Sequence, residues 1–388
     1  MKLSNPDVLV LGLGAMGSAT LLHLARLGLR VVGIDRFAPP HAQGSSHGET
    51  RITRQAIGEG AQFVPLALRS QQLWRQHERE TGLSLFTACG ALVVSRTGLA
   101  SRMHAQDDFL GNTMRAAQQY GIAHECLWAD AIARRFPQLT LVGDEQAYYE
   151  PGGGFLRPER CIAAQLQLAV RDGATLLRDA AARLAGSADG RACVEAGGAR
   201  YMPGTLVIAA GAWMPQLVPT LAPRLKITRQ ELHWFALDGS ARYDPEQFPV
   251  FIWHWGDGAD DVFYGFPQLD GEAAIKTAAE SDGEPIRADD IDRRIDPVRA
   301  AALHARHIAP RLKGVTAAAT RSATCLYSST ANANFIIDRV PQAADTLVIS
   351  ACSGHGFKHS AAIGEAVAAM VHSGSRPAIL EPFAWPTG

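Results

Sequence analysis

The sequence predicts an α/β fold in which a doubly wound domain is interrupted by a second domain with a mixed, mainly antiparallel sheet. A β–α–β unit occupies residues 7–35, and buried strands of the same type return near residue 205 and near the C-terminus. Residues 226–280 instead alternate apolar and polar side chains and are rich in aromatic residues, which is typical of antiparallel strands. Because parallel-sheet signals flank the antiparallel ones, the first domain is expected to be discontinuous.

The length of 388 residues fits two domains better than a single core. A cluster of one proline and three glycines at residues 151–154 indicates a crossing point between them. The predicted ranges of the Rossmann-like, dinucleotide-binding domain are 1–85, 151–225 and 325–388. The predicted ranges of the substrate domain are 86–150 and 226–324.

Composition excludes several classes of protein. Lys and Arg number 37 against 38 Asp and Glu, and this near-zero net charge argues against a protein that binds nucleic acid by neutralising phosphates. None of the six cysteines forms a C-x-x-C pair, which argues against a zinc ribbon, and no metal site is expected. No apolar run is long enough for a spanning helix, and the first residues lack the pattern of a signal peptide. We therefore expect a soluble, cytoplasmic protein that does not bind membranes.

A glycine motif lies between the first predicted strand and the first predicted helix. Gly12 permits the tight turn, Gly14 lets backbone N–H groups approach a pyrophosphate, and Gly17 lets the helix pack closely on the strand. Asp35 ends the second strand about 20 residues later, where a carboxylate can accept hydrogen bonds from an adenosine ribose. Since only Arg36 adds positive charge there, the motif favours NAD or FAD over NADP.

Two further segments have residues suited to anions. Residues 44–54 form a Gly/Ser-rich loop whose two arginines, Arg51 and Arg54, suit a buried anion or a flavin face, although each alone would equally suit a surface salt bridge. Residues 353–358 form a glycine-rich turn before the last predicted helix, and helix N-termini attract anions. Lys358 in this turn could pair with a reduced flavin or a substrate carboxylate, or be solvated beside an ordinary helix cap.

These segments, together with residues 64–70 and 325–327, resemble monomeric sarcosine oxidase and N-methyl-tryptophan oxidase, which are D-amino-acid-oxidase-like flavoproteins. The resemblance covers nearly the whole chain. It implies a monomeric enzyme with FAD as cofactor, a small-molecule amino-acid substrate and O2 as electron acceptor. The implied reaction oxidises the C–N bond of a secondary or N-methyl α-amino acid to an imine and reduces oxygen to hydrogen peroxide.

The resemblance also implies roles for individual residues. Cys325 matches the cysteine that tethers the flavin, and Cys352 is the only other candidate for this covalent bond. Lys276 matches a lysine that helps oxygen accept an electron, while Arg54 and Lys358 match the pair that holds the substrate carboxylate. The residues expected to act in catalysis are Lys276, Arg54, Lys358, Tyr264 and Tyr327. The residues expected to bind the cofactor are Gly12, Gly14, Met16, Gly17, Asp35, Arg36, Ser45, His47, Thr50, Arg51, Cys325, Gly354, Gly356, Phe357 and Lys358.

One departure from the family pattern concerns the substrate. Sarcosine oxidases have a histidine four residues after the lysine, whereas this chain has Glu280, whose carboxylate could pair with a substrate amine or with a nearby arginine. Residues 251–255 add aromatic bulk that either shapes the pocket or packs within a sheet. Three alternatives stay open: oxidation of a cyclic imino acid such as proline or pipecolate, a flavin dehydrogenase with another acceptor, and a nucleic-acid-modifying or binding flavoprotein.

Overall fold

The computed structural model describes residues 2–186, 191–269, 271–280, 283–341 and 343–386. The strands, in chain order, are β1 Lys2–Ser4, β2 Val8–Leu11, β3 Val31–Ile34, β4 Arg51–Thr53, β5 Phe86–Thr87, β6 Ala91–Arg96, β7 Glu125–Trp128, β8 Glu145–Glu150, β9 Gly154–Leu156, β10 Thr175–Leu177, β11 Ala182–Ala185, β12 Cys193–Ala196, β13 Ala199–Tyr201, β14 Thr205–Ile208, β15 Lys226–Leu237, β16 Val250–His254, β17 Val262–Gly265, β18 Ala274–Ala278, β19 Val315–Ser329, β20 Ile336–Val340 and β21 Ala343–Ser350. The α-helices are α1 Ala15–Arg26, α2 Val64–Thr81, α3 Phe109–Gln119, α4 Ala129–Arg135, α5 Pro158–Arg171, α6 Met214–Leu217, α7 Pro297–Leu303 and α8 Ser360–Ser373.

The first layer is a six-stranded sheet with the order β10-β3-β2-β14-β21-β20. Every neighbouring pair is parallel except β20 and β21. β2 is buried along its whole length because helices cover the sheet, with α1 packed against α5 and α8. Strands buried on both faces are short apolar runs, which is why the sequence pattern reveals them. The predicted doubly wound α/β arrangement is confirmed.

The second layer is an eight-stranded sheet with the order β19-β15-β18-β17-β16-β6-β8-β7. It is antiparallel except for the pair β6 and β16, so the prediction of a mixed, mainly antiparallel sheet is confirmed. The longest pairing joins β15 to β19, from Lys226 opposite Ser329 to Leu237 opposite Val315. β19 therefore runs across the boundary predicted between residues 324 and 325. The domain ranges themselves stay a prediction.

A small sheet of order β4-β9-β5 connects the two layers. Thr53 of β4 pairs with Gly154 of β9, so the arginine-rich loop is attached to the glycine cluster at residues 151–154. Gly154 has a φ of +154°, and a Cβ there would lie 2.0 Å from the carbonyl oxygen of Thr87, so only glycine fits this crossing. A fourth sheet has the order β1-β13-β12-β11. Within the described ranges, no helix is long and apolar enough to span a membrane.

Candidate active site

A single cavity of about 450 Å³ extends from the carboxyl ends of β2 and β3 to one face of the eight-stranded sheet. It brings together residues that are distant in the sequence. The predicted site residues that line it are Gly12, Gly14, Met16, Asp35, Arg36, Ser45, Thr50, Arg51, Arg54, Tyr264, Lys276, Cys325, Tyr327, Gly354, Gly356, Phe357 and Lys358. Gly17 and His47 are buried outside this lining. A Cβ on Gly17 would lie 1.7 Å from the carbonyl oxygen of Gly12, which is the close helix–strand contact expected at this position.

Asp35 organises the end of the cavity at the six-stranded sheet. Its Oδ2 accepts a hydrogen bond from the backbone N–H of Leu13 at 2.7 Å, and its Oδ1 accepts one from Phe37 at 2.8 Å. The carboxylate thereby connects the glycine turn after β2 to the end of β3. The neighbouring Arg36, which also lines the cavity, pairs with Asp289 at 2.6 Å.

The residues at this end fit a dinucleotide. Gly12 has a φ of +91°, and a Cβ there would lie 2.6 Å from the carbonyl oxygen of Ala209, so only glycine lets the turn pack closely on the end of β14. A Cβ on Gly14 would have one neighbour, Ser46 Oγ at 3.7 Å, so the start of the 12-residue helix α1 faces open space. The Oγ1 atom of Thr50 is buried at the cavity and lacks a hydrogen-bond partner among the described residues. These are the groups that FAD would engage.

Lys276 lies in the middle of β18. Its side chain is buried, and its Nζ donates to the carbonyl oxygens of Gly48 at 2.7 Å and Thr50 at 2.8 Å. The Nζ also lies 4.1 Å from the ring centre of Phe266. Burial, followed by the nearby charge of Arg51, lowers the pKa of Lys276 well below its ordinary value. Glu159 and Glu49 oppose that shift, and the two carbonyl oxygens accept hydrogen bonds from Nζ.

Cys325 lies in β19 and is 1% exposed at the cavity wall. Burial raises the pKa of its thiol, while Arg51 and Lys276 oppose the rise. Cys352 also lines the cavity and is partly exposed. Both cysteines are free thiols in the structure, so the geometry leaves each available for chemistry at this site.

The far end of the cavity concentrates buried charge around Glu59. Arg54 is 1% exposed, and its Nη2 contacts Glu59 Oε2 at 2.6 Å while its Nη1 donates to the carbonyl oxygen of Ala56 at 2.9 Å. Lys358 Nζ donates to the carbonyl oxygen of His355 at 2.8 Å and lies 3.9 Å from Glu59 Oε1. The two cations predicted to bind one anion therefore converge on the same place from opposite ends of the chain.

The charged groups of this cluster shift one another's pKa. Burial lowers the pKa of Lys358 to about 8, although Glu59 opposes the shift. Burial alone would raise the pKa of Glu59, but Arg54 and Lys358 hold it well below its ordinary value. The cluster is thus built from ionised groups that compensate one another in a nearly dry environment.

The loop that carries Arg54 is fixed by a buried carboxylate. Glu150, at the end of β8, accepts hydrogen bonds from the backbone N–H groups of Gln55 at 2.6 Å and Ala56 at 3.0 Å. The hydroxyl of Tyr148 donates to the same carboxylate at 2.8 Å. The guanidinium of Arg54 is therefore held by the backbone that follows it.

Sequence reasoning missed two residues of this cluster, Glu59 and His104. His104 Nδ1 lies 3.2 Å from Glu59 Oε1, and its Nε2 lies 2.8 Å from Glu280 Oε1, so Glu280 pairs with a histidine and not with an arginine. Glu59 has a weak sequence signal, because an acid between two glycines follows the arginine-rich loop. His104 has none, because it lies in an irregular segment before α3, which begins at Phe109.

Two tyrosines complete the wall beside Glu280. Tyr264 comes from β17 and Tyr327 from β19, and both line the cavity. Burial raises the pKa of both hydroxyls, so both stay protonated and can donate. The aromatic segment at residues 251–255 divides between two environments: Ile252 lines the cavity, whereas Phe251 and Trp253 pack in the core of the sheet.

A dinucleotide turn and a pair of buried cations in one cavity define a flavin-type oxidoreductase site, and comparison with known proteins agrees. The DAO family model, described as FAD dependent oxidoreductase, matches residues 7–370. The chain therefore belongs to the family of FAD-dependent oxidoreductases. The predicted family and enzyme class are confirmed.

Individual relatives cover almost the entire chain. Monomeric sarcosine oxidase from Streptomyces avermitilis is 40% identical over 376 residues, which is 95% of this chain and 94% of the relative. N-methyl-L-tryptophan oxidase from Salmonella heidelberg is 34% identical over 382 residues, 97% of each chain. Among solved structures, NikD, described as an unusual amino acid oxidase essential for nikkomycin biosynthesis, superposes with a TM-score of 0.84 at 21% identity, over 98% of this chain and 97% of that chain.

Proposed function

We propose that this protein is an FAD-dependent oxidase of a secondary or N-methyl α-amino acid. It would convert the substrate to an imine and O2 to hydrogen peroxide. The observation that carries the proposal is the cavity itself, which has a dinucleotide turn at one end and Arg54 with Lys358 at the other. The names of the relatives, sarcosine oxidase and N-methyl-L-tryptophan oxidase, support the N-methyl amino-acid class. FAD, when bound, accepts the electron pair that leaves the C–N bond.

Arg54 and Lys358 would bind the substrate carboxylate. A guanidinium has five N–H donors, so Arg54 can keep its contacts to Glu59 and Ala56 and still donate to a second carboxylate. Fixing the carboxylate at one end orients the amine toward the cofactor end and reduces the entropy cost of reaching the reactive geometry. Tyr264 and Tyr327 would shape the wall along which the substrate lies.

Lys276 and Cys325 have separate proposed roles. Lys276 would hold a positive charge close to where oxygen is reduced, because electron transfer to oxygen creates an anion. The thiol of Cys325 would form the covalent bond to the flavin, and its location in the cavity wall supports this assignment. A cytoplasmic monomer is part of the same proposal.

A peroxide-coupled screen of the holoenzyme tests the proposed function. Substrates would be N-methyl, cyclic and primary amino acids, each paired with its amide. We expect peroxide from N-methyl amino acids and at least about tenfold lower kcat/KM for the amides, since a charge-assisted hydrogen bond is lost. Preference for proline or pipecolate would favour the cyclic alternative. Substrate-dependent reduction of a dye without peroxide would identify a dehydrogenase, and equal rates for acid and amide would exclude carboxylate binding by Arg54 and Lys358.

A further inference from the structure

His104 connects two acidic residues that come from different parts of the chain. It lies between β6 and α3, whereas Glu59 lies between β4 and α2, and Glu280 follows β18. Its Nδ1 faces Glu59 at 3.2 Å and its Nε2 faces Glu280 at 2.8 Å. Because an ionised carboxylate only accepts hydrogen bonds, both ring nitrogens must carry a proton to satisfy this geometry. His104 is therefore an imidazolium between two carboxylates.

Both acids line the cavity, and Glu280 is the more exposed of the two. The exposed fraction of the side chain is 2% for Glu59, 8% for His104 and 23% for Glu280. Glu59 is already neutralised by Arg54 at 2.6 Å and approached by Lys358 at 3.9 Å. Glu280 uses Oε1 for His104, and within the described part of the chain no hydrogen bond reaches its Oε2, so this atom can accept from another donor.

The turn at Gly354 fixes the position of this pair. A Cβ on Gly354 would lie 2.5 Å from His104 Nε2 and 3.1 Å from both Glu280 Oε1 and Tyr327 Cε2. Gly354 also has a φ of +78°, a conformation that favours glycine. The absence of a side chain at Gly354 thus leaves just enough space for His104 and Glu280 to reach the cavity.

The charges of the cluster leave one cation for the substrate. Arg54 is matched by Glu59 and His104 by Glu280, so Lys358 remains to neutralise a single substrate carboxylate. Only the imidazole ring of His104 separates Glu280 from Glu59. One amino acid is therefore long enough to contact Arg54 and Lys358 with its carboxylate and Glu280 with its side chain. A second carboxylate on the substrate would face Glu280 without compensation, whereas a cation or an N–H group would be paired by it.

We propose that Glu280, positioned by His104, determines the substrate specificity of this cavity. It selects an N-methyl amino acid whose side chain ends in a cation or another hydrogen-bond donor over one with an apolar or anionic side chain. The inference rests on the proposed function and extends it from a substrate class to a side-chain chemistry. His104 is a positioning residue, because it acts through Glu280.

Three substrates of similar length test the inference on the holoenzyme: the Nα-methyl derivatives of lysine, norleucine and 2-aminoadipate. We expect kcat/KM to decrease in that order, with about tenfold or more between lysine and norleucine, as loss of a hydrogen bond to a charged group implies. Glu280→Gln should abolish this preference, and Glu280→Asp, which keeps the charge, should retain it. Glu284→Gln is the matched control, because Glu284 is exposed on the same segment and its loss should leave the order unchanged.

Equilibrium binding separates this inference from the proposed function. The corresponding 2-methoxy acids place an ether where the amine would be and cannot form an imine, so calorimetry measures their binding without turnover. The inference would be supported if the lysine analogue bound the wild type most tightly, followed by the norleucine and 2-aminoadipate analogues, and if Glu280→Gln lost this order of affinity. That support would stand even if no amine were oxidised, and only the proposed function would then fail. For His104→Gln we expect a higher KM for the lysine derivative and an unchanged KM for the norleucine derivative. A wild-type preference for norleucine or aminoadipate, or a lysine preference that survives in Glu280→Gln, would overturn the inference.

Discussion

At the residue scale, the functional groups of this protein are buried charges that hold one another in place. Arg54 illustrates how: its guanidinium contacts Glu59 and the carbonyl oxygen of Ala56 simultaneously, and the following backbone is held by Glu150. A planar fork with several donors is needed for this geometry, and a lysine ammonium cannot reproduce it. The proposed binding of a carboxylate by Arg54 would therefore depend on the type of cation as well as on its charge.

We expect Arg54→Lys to raise KM for the amino-acid substrate by about 10- to 100-fold, which corresponds to one lost hydrogen bond between charged groups. Steady-state kinetics over a range of substrate concentrations measures the change. Arg96→Lys is the control, since Arg96 forms an exposed pair with Asp144 far from the cavity lining. An unchanged KM in Arg54→Lys would show that the substrate carboxylate binds elsewhere.

Cys325 is predicted to retain the flavin on the chain after denaturation. The wild-type protein, precipitated with acid, should give a yellow pellet, whereas Cys325→Ala should release its flavin into the supernatant. Cys352→Ala is the matched control, because Cys352 is the other cysteine in the described cavity lining, and it should resemble the wild type. A colourless wild-type pellet would disprove the tether and leave FAD binding untouched.

His104 gives the protein a defined pH dependence. Burial alone would lower the pKa of His104, but Glu280 and Glu59 raise it to about 9 from the ordinary 6.5. A pKa raised by folding contributes stability that is complete below pH 6.5 and is lost as the pH rises through about 9. We expect the melting temperature of wild type to exceed that of His104→Gln by several degrees below pH 6.5, and by much less above pH 9. Calorimetry at both pH values measures this difference, and a difference that grows toward alkaline pH would contradict the assignment.

Single residues could be predicted from the sequence only where they belong to a motif or match the resembled family. Gly12, Asp35 and Lys358 do so, and all three line the cavity. His104 belongs to no motif, because its role depends on a backbone with a φ of +49° that turns the ring toward two acids distant in the sequence. No local pattern encodes a contact of that kind.

At the scale of elements, helices α1 and α8 determine where the two glycine-rich turns meet. Gly364 of α8 allows the contact, since a Cβ there would lie 2.5 Å from both the carbonyl carbon and the Cβ of Ala19 in α1. Each helix begins just after a turn that lines the cavity. Their close packing therefore sets the distance between the dinucleotide turn and Lys358.

We expect Gly364→Ala to lower the free energy of unfolding by about 1–3 kcal/mol, because the two helices must separate to accept one methyl group. Chemical denaturation of the variant measures the change. Gly186→Ala is the control: among the described residues, a Cβ there has no neighbour within 4 Å, and Gly186 does not have a positive φ. Equal stability of Gly364→Ala and wild type would mean that the α1–α8 contact adapts without cost.

Elements with a strong periodic pattern were predicted well. The amphipathic pattern of residues 64–80 predicts the helix observed as α2, and the buried strand expected near residue 205 is observed as β14. Residues 100–108 precede α3 and could not be predicted in the same way, because a short irregular segment lacks a period of its own. A proline after Asp296 predicts a helix start, and α7 begins at Pro297, while residues 304–308 adopt a π-helix.

At the scale of the whole molecule, the cavity exists because two sheets of different kind face each other across it. The six-stranded sheet contributes the dinucleotide turn, and the eight-stranded sheet contributes Lys276, Cys325 and the two tyrosines. The two kinds of sheet could be predicted, since parallel and antiparallel strands differ in their hydrophobic pattern. Their relative placement could not, because it depends on contacts such as the one between Lys276 and the loop at residues 48–50.

Lys276 is the residue that we propose to act in the reaction with oxygen. It extends from the centre of β18 to the carbonyl groups of Gly48 and Thr50, in the loop after β3. Electron transfer to oxygen produces an anion, and a cation held in a site with little water stabilises that anion far more than bulk water does. Lys276→Met keeps the approximate length of the side chain and removes the charge. We expect it to slow the reaction of the reduced enzyme with oxygen by orders of magnitude, and to affect anaerobic reduction by substrate much less.

Rapid-mixing absorbance times the two half-reactions separately, first with substrate under anaerobic conditions and then with oxygen. Lys313→Met is the matched control, because Lys313 is exposed and its Nζ donates to the carbonyl oxygen of Pro137 outside the cavity lining. Its removal should leave both half-reactions unchanged. If Lys276→Met instead reacted with oxygen at the wild-type rate, Lys276 would serve only to join the two sheets through Gly48 and Thr50. The choice of oxygen over another electron acceptor would then lose its main support, whereas carboxylate binding by Arg54 and Lys358 would be unaffected.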